Sequence, residues 1–516
     1  MKVILAGHNI DLESLKENTP LTPETISAAY ARISRDPKNV SELRAESRKE
    51  VEKARNSNKA IVFGMSHHSV AEHAYFNFDI LDISRLALED LEARRIGSAY
   101  TEKSQRYITL DGDYLIPEEL SSFDEGKFKK LIGVQNDFYF KSLDKLVEYQ
   151  YEQNPELAEK AVKAKKKGVS DNVNRAKNTL EGWAKEDARY ALSLAIQGQV
   201  GVSFNARTLE HAIRNMRYSE LSEVRELSKK LYKLGSKTAP SLIILSDPRE
   251  FKKQFKTELK DDSFRYTKQN LREAVKSIIK ERKNTSHPYL NPQTIEEGNA
   301  KLFSTNNIDK NIAAALIHNN SDLSFRDSYK LASNMLTPNI YNRGEDFFKQ
   351  ALQYISEFDA LPREFEFSGD LKYEIIVSAS NFAQLKRHRL MTLLSQDYNP
   401  KLGYTIPESI KKTGMGGELI KVLDQSTELY KNFKEKYNKT AEYCLTNAHR
   451  RRVLVSVNPR ELYHISRLRE DKHAQWDIRD TAHNMLQLAK QQAPLTFMLA
   501  CGKDKFEEVR EEVYKD

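Results

Sequence analysis

Asn205-Ala-Arg207-Thr-Leu209-Glu-His211 recurs as Asn458-Pro-Arg460-Glu-Leu462-Tyr-His464, four identities in the pattern N-x-R-x-L-x-H at a constant offset of 253. Further along, Ala239-Pro240 matches Ala493-Pro494 at offset 254. Matches that stay in register describe a duplicated unit, and an internal repeat is read first because it decides the architecture. The chain has 516 residues, more than one hydrophobic core usually organises. We therefore expect a first copy over 1–250, a charged helical connector over 251–300 and a second copy over 301–516.

Upstream of the repeated heptapeptide, Tyr75-Phe-Asn-Phe-Asp-Ile-Leu81 has period-two apolar character, as does Phe365-Glu-Phe367 in the second copy. Alternation of this kind predicts a half-buried strand. Each strand is expected to lead through Ser84 or Ser378 into a helix, read as DISRLALEDLEARR and IIVSASNFAQLKRHR. From Arg95 to Asn205 is 110 positions, and from Arg389 to Asn458 only 69. The excess is assigned to the lysine-rich helical stretch around 125–185, including KAVKAKKKGV (160–169).

Composition removes several function classes. A net charge of +8 is modest for this length, and the lysine run reads as a solvated helix face, not as a nucleic-acid surface. Cys444 and Cys501 are the two cysteines, without CxxC spacing, which argues against a disulfide scaffold or a cysteine-built metal site and suits a cytoplasmic protein. No apolar run approaches a membrane span. The opening MKVILAGHNIDLES gains acidic residues too soon for a secretory signal.

Several clusters invite chemistry. His67-His68-Ser69-Val-Ala-Glu72-His73 is rich in metal-binding types, but H-H-x4-H does not stack imidazoles as HExxH does, so no metal is expected. Arg94-Arg95, followed by Glu102-Lys-Ser104-Gln-Arg106-Tyr107, reads equally as a charged helix end with a polar loop or as an anion pocket, since guanidinium forks and a hydroxyl suit phosphate oxygens. Gln384-Leu-Lys-Arg387-His388-Arg389 packs four potential cations into about one and a half helical turns, a density that points to an anion. Arg469 and His473 are four apart and share a face if their helix continues. Gly414-Met-Gly416-Gly417 lacks the lysine–serine pair of a phosphate loop and reads as a connection into a helix. With no Walker sequence and no GxGxxG, a Rossmann-type dinucleotide site is not supported.

In their order along the chain these residues resemble the flavin-dependent thymidylate synthases. That family carries HxSxxEH, then R-H-R with a serine after seven more residues in an ExSxRY context, then N-x-R and a helix ending LR…HAQW. Here HxSxxEH is His67–His73, ExSxRY is Glu102–Tyr107, RHR is Arg387–Arg389, and the downstream helix is Asn458–Trp476. Neither copy is complete. The first has Ala93-Arg94-Arg95 at the RHR position and lacks HAQW. The second has Asp397-Tyr-Asn-Pro in place of the serine loop, and DALPREFEF (359–367) where HxSxxEH should stand.

The losses are complementary, and family sites draw on more than one subunit. The resemblance implies an α+β fold in each copy, helices packed around a mixed β-sheet, and one intact composite site between the copies while its reciprocal decays. It implies FAD as cofactor, NADPH and methylenetetrahydrofolate as co-substrates, and conversion of dUMP to dTMP. Arg469 would stabilise the uracil anion. Glu102, Ser104, Arg106, Arg189, Gln384 and Arg387 would bind the nucleotide, Arg189 because it lies 16 before Asn205, where the second copy has Glu442. Ser69, Glu102, Arg387, His388, Arg389, Asn458, Arg460, His464 and His473 would line the flavin. A homodimer of tandem chains would reproduce a four-unit assembly. Three alternatives stay open: methylation of another pyrimidine such as UMP, a non-catalytic flavin- or nucleotide-binding paralogue, and RNA binding by the basic insertion.

Overall fold

The computed structural model describes residues 1–93, 96–105, 112–166, 175–256, 263–283, 300–303, 307–337 and 341–515. They gather into two compact units. The first comprises Met1–Tyr139, Leu192–Pro292 and Asp424–Leu445; the second comprises Phe140–Ala191, Gln293–Leu423 and Thr446–Asp516. The second unit thus joins most of the second copy to residues 140–191 of the first, and the first unit takes residues 424–445 of the second.

Each unit is centred on a four-stranded antiparallel sheet. In the first, β1 (Lys2–His8), β2 (Tyr75–Ser84), β3 (Ser98–Glu102) and β4 (Gln197–Asn205) lie in the order β1-β2-β4-β3. In the second, β5 (Lys301–Phe303), β6 (Leu371–Ser378), β7 (Thr392–Ser395) and β8 (Arg450–Val457) lie in the order β5-β6-β8-β7, the same permutation. The α+β class and the duplicated fold are therefore as expected, but every strand pair is antiparallel where a mixed sheet was expected. The alternation along β2 explains this. Phe76, Phe78 and Ile80 are buried while Tyr75, Asn77 and Asp79 are exposed, and antiparallel sheets readily leave one face in water.

The repeated heptapeptide caps and starts a helix in both units. Asn205 Oδ1 accepts the Thr208 amide at 2.8 Å at the head of helix Ala206–Arg217, and Asn458 Oδ1 accepts the Glu461 amide at 2.9 Å at the head of helix Pro459–Arg469. The leucines behind the caps, Leu209 and Leu462, are fully buried. A second helix follows in each, Ser222–Thr238 and Trp476–Gln492. The second unit's core joins β6 and β8 to these helices through Ile375, Val377, Val455, Leu462, Ile478 and Met485.

Three local expectations change. Phe365-Glu-Phe367 is not a strand: Arg363–Glu366 forms a 3-10 turn that Pro362 introduces at φ −52°, and β6 begins only after Gly369 at φ +83°. Ile375–Ser378, read as the start of a helix, closes β6 instead, in keeping with the strand preference of β-branched residues. The helix after it is short, Ala379–Leu385, capped by Ser378 Oγ, so Arg387–Arg389 sits on the turn beyond its end. Between its sheet strands the first copy places helices Ser122–Gln153, Pro155–Lys166 and Arg175–Ala188; the last residues of the lysine run, 167–169, lie outside the described residues. The connector positions 257–262 and 284–299 also lie outside them.

Candidate functional site

A cavity of about 500 Å³ opens in the second unit where the turn after the Ala379–Leu385 helix meets the Pro459–Arg469 helix. Arg387, His388, Arg389, Asn458, Arg460 and His464 line it, six of the residues expected around the flavin. The turn is held by main-chain bonds from Arg387 N to Gln384 O (3.3 Å) and from His388 N to Leu385 O (3.2 Å). Phe358, Asp359 and Leu361 also line it.

Both cavity histidines are pushed toward the neutral form. His388 is buried, and burial, with Arg469 and His464 beside it, holds its ring well below the usual histidine range. Arg469 Nε donates to His388 Nε2 at 2.9 Å, and a guanidinium can only donate, so the imidazole proton is on Nδ1. That nitrogen faces the Glu461 carboxylate at 3.9 Å. His464 meets His388 edge-on, with centroids 5.9 Å apart; burial, then Arg467 and Arg469, also lowers its pKa.

Arg460 is anchored on two sides. Nε donates to Leu361 O at 2.7 Å, and Nη1 meets Glu366 Oε1 at 2.6 Å. In the first unit Arg207 meets Glu72 of the HxSxxEH element at the same 2.6 Å. Glu366, inside the stretch that replaces HxSxxEH, therefore keeps that element's ion pair. Arg467 also lines the cavity. Its Nε and Nη2 are buried and have no hydrogen-bond partner among the described residues. Buried N–H donors beside a cavity call for an acceptor-rich, anionic ligand, the chemistry of a flavin dinucleotide. Arg467 was not anticipated, although its spacing from Arg460 and His464, at i+7 and i+3, places all three on one helix face.

Arg469 ends its helix. Residues 470–475 form a turn, so the four-residue relation with His473 does not create a shared helix face; His473 is exposed, and its amide caps on Asp471 Oδ1 at 2.8 Å. Arg469 Nη2 reaches Gln384 O at 3.3 Å. Arg189, from the first copy, belongs to this same unit. It is buried in the 3-10 turn Arg189–Ala191 after helix Arg175–Ala188, its Nε donating to Glu186 O at 3.2 Å. Its neighbours tie it to the second copy. Asp187 accepts from Trp476 Nε1 (2.8 Å) and Ser409 Oγ (2.5 Å), and burial raises its pKa to about 6. Tyr190 stacks on Trp476 at 5.7 Å.

Three expected residues belong to the first unit: exposed Ser69 in the 3-10 turn His68–His73, Glu102 at the end of β3, and Ser104 just beyond it. Arg106 lies outside the described residues, as do Arg94 and Arg95. No helix among the described residues is long and apolar enough to cross a membrane.

The sequence profile of the family described as thymidylate synthase complementing protein matches residues 15–241 and 349–495. A protein of Chlamydia muridarum named UPF0159 is 22% identical over 446 residues, covering 84% of this chain and 78% of that one. A flavin-dependent thymidylate synthase of Clostridium tetani is 29% identical over 237 residues, 45% of this chain and 86% of its own. A solved UMP/dUMP methylase, PolB from Streptomyces cacaoi, is similar at a TM-score of 0.33 and 14% identity, over 47% of this chain and 92% of that one. With the profile matched over both copies, the chain belongs to the thymidylate synthase complementing protein family, that of the flavin-dependent thymidylate synthases.

Proposed function

We propose that this chain methylates a pyrimidine nucleotide with FAD as cofactor, the specific reaction being dUMP to dTMP with methylenetetrahydrofolate and NADPH, at a site in the second unit that draws on both copies. The observation that carries the reading is the arginine-rich cavity lined by His388, onto which Arg469 donates, and by Arg467, two of whose buried donors have no hydrogen-bond partner among the described residues. The flavin supplies the redox chemistry when bound.

The chain's own residues bind and orient. Arg387, Arg389, Arg460 and Arg467 offer donors to the flavin's phosphates and carbonyls, and His388, His464 and Asn458 shape the cavity between them. Arg469 stabilises the uracil ring as N3 loses its proton, because a fixed cation favours the anionic form and so makes C5 more nucleophilic. Arg189 and Gln384 hold the nucleotide beside it. The family relationship supports these roles, as does the assembly of first-copy Arg189 and second-copy Arg469 in one compact unit.

Purification with a flavin spectrum, followed by an assay of hydrogen exchange at C5 of dUMP and of UMP, tests the proposal. A yellow protein that exchanges dUMP supports it. Exchange of UMP in preference moves the substrate to the ribonucleotide. A colourless protein that takes up no FAD overturns the enzyme reading.

A further inference from the structure

Tyr190, Gln475 and Gln384 form a hydrogen-bonded chain whose direction is set at one end. The Asp477 carboxylate accepts from Ser378 Oγ at 2.6 Å, Asn381 Nδ2 at 2.7 Å and the Tyr190 hydroxyl at 2.8 Å. The phenol therefore spends its proton on Asp477, and burial, with Asp477 beside it, keeps that proton in place. The Tyr190 oxygen then accepts Gln475 Nε2 at 2.9 Å, and Gln475 Oε1 accepts Gln384 Nε2 at 3.0 Å. Each amide is left with one orientation. Gln384 Oε1, which is buried, has no hydrogen-bond partner among the described residues, while the Gln384 main-chain carbonyl takes Arg469.

We infer that Tyr190, supplied by the first copy, is a positioning residue: through Gln475 it turns the Gln384 amide so that the nucleotide meets an acceptor there, suited to a ligand N–H or O–H, beside the donors of Arg469. The inference rests on the nucleotide-methylating reading above. The first unit shows what such a tyrosine does without the amides. There Tyr443 donates to Glu223 Oε2 at 2.7 Å, and Ser84 Oγ meets the same carboxylate at 2.5 Å, matching Tyr190, Asp477 and Ser378. Leu221 occupies the position of Gln475, two before the carboxylate, and Asp90 that of Gln384, six after the serine. A tyrosine–carboxylate–serine lock thus packs without any amide, and the second unit carries the two glutamines where the first has Leu221 and Asp90.

The test uses the full chain and nucleotide affinity by calorimetry, with dUMP and UMP as probes. Tyr190→Phe removes one hydroxyl and keeps the ring against Trp476. It is expected to weaken binding about tenfold, as the loss of one net hydrogen bond would. Gln384→Ala should weaken it at least as much, and the double variant no further than Gln384→Ala alone, because both act along one path. Gln475→Leu, which copies the first unit, carries the same expectation should Tyr190→Phe fail to fold. Additive losses in the double variant, or a lowered Tm with unchanged affinity, overturn the positioning role alone. A wild-type chain that binds neither nucleotide overturns the functional reading, and this inference with it.

Discussion

In the first unit, Glu442 stands where the second has Arg189; it is fully buried, with Lys439 at 3.0 Å, and buried Glu223 lies one turn of the lock away through Tyr443. In the second unit the same place holds a buried guanidinium. The helix ends differ in the same sense. Arg217 closes the first unit's repeated helix and hydrogen-bonds the Ser246 carbonyl, whereas Arg469 closes its counterpart and is turned onto His388 and Gln384. Both units kept the groups that hold strand to helix, and they diverged in the groups that an anion would meet. A buried carboxylate repels a phosphate and a buried guanidinium binds one, so the divergence in charge supports the proposed placement of nucleotide binding in the second unit.

Exchanging the helix-end arginines should break the comparison most visibly. Arg469→Ala is expected to lower turnover by about 10²-fold or more, the usual cost of removing a donor aimed at developing charge. Arg217→Ala should leave turnover within about twofold, since that side chain serves a carbonyl of its own unit. Equal losses in the C5 exchange assay would mean that the first unit also turns over nucleotide. The position proposed for the phosphate sharpens the point. Arg189→Ala should weaken dUMP binding by roughly 10- to 100-fold, the range for charged hydrogen bonds, while Glu442→Gln should not change it. Tighter binding in the glutamine variant would reveal a second, electrostatically suppressed site.

The repeat was legible because half of its four identities are structural. Asn205 and Asn458 cap helices, and Leu209 and Leu462 fill cores, so any working copy must retain them. RHR was legible as cation density and N-x-R as part of the repeat, and the cavity collects both. What escaped notice depends on distance in sequence. Tyr190 meets Gln475 across 285 positions, and no local pattern announces such a pair. Glu366 was hidden because its stretch alternates like a strand while Pro362 turns it into a 3-10 helix, which is what presents the carboxylate to Arg460. The Arg469–His473 pairing failed for a related reason: the helix ends at Arg469, four residues before His473.

A smaller contrast lies at the position before the repeat's histidine, Glu210 in one unit and Tyr463 in the other. Glu210 Oε1 accepts the Leu245 amide at 2.5 Å, and the Tyr463 hydroxyl accepts the Leu499 amide at 3.3 Å, so both tie the helix to an equivalent downstream loop. Burial pushes the Glu210 carboxyl up to about 8. A raised folded pKa favours the protonated state, so this contribution to stability is complete below about pH 4.5 and is lost as pH rises through 8. Glu210→Gln should therefore flatten the fall of Tm between pH 6 and 9 by roughly 2–4 °C. A Tm profile parallel to wild type would show that the carboxyl ionises freely.

The mildest expected effect concerns Asp187, which joins the first copy's turn to Trp476 and has no acidic equivalent in the first unit's lock, where Thr440 takes its place. Burial holds its carboxyl up to about 6 against two donors, Ser409 and Trp476, that favour the charged form. By the same sign, its protonated form stabilises the fold fully below about pH 4, and that contribution fades as pH rises through 6. Above that pH the indole N–H faces a carboxylate, and below it a neutral acid, so the environment of the ring changes with one proton. The other tryptophan, Trp183, is removed with Trp183→Phe. The fluorescence of the remaining Trp476 should then titrate with a midpoint near 6, and Asp187→Asn should abolish the transition. A flat profile in the Trp183→Phe protein would mean that Asp187 stays ionised throughout, with Arg189 outweighing desolvation at the seam of the two copies.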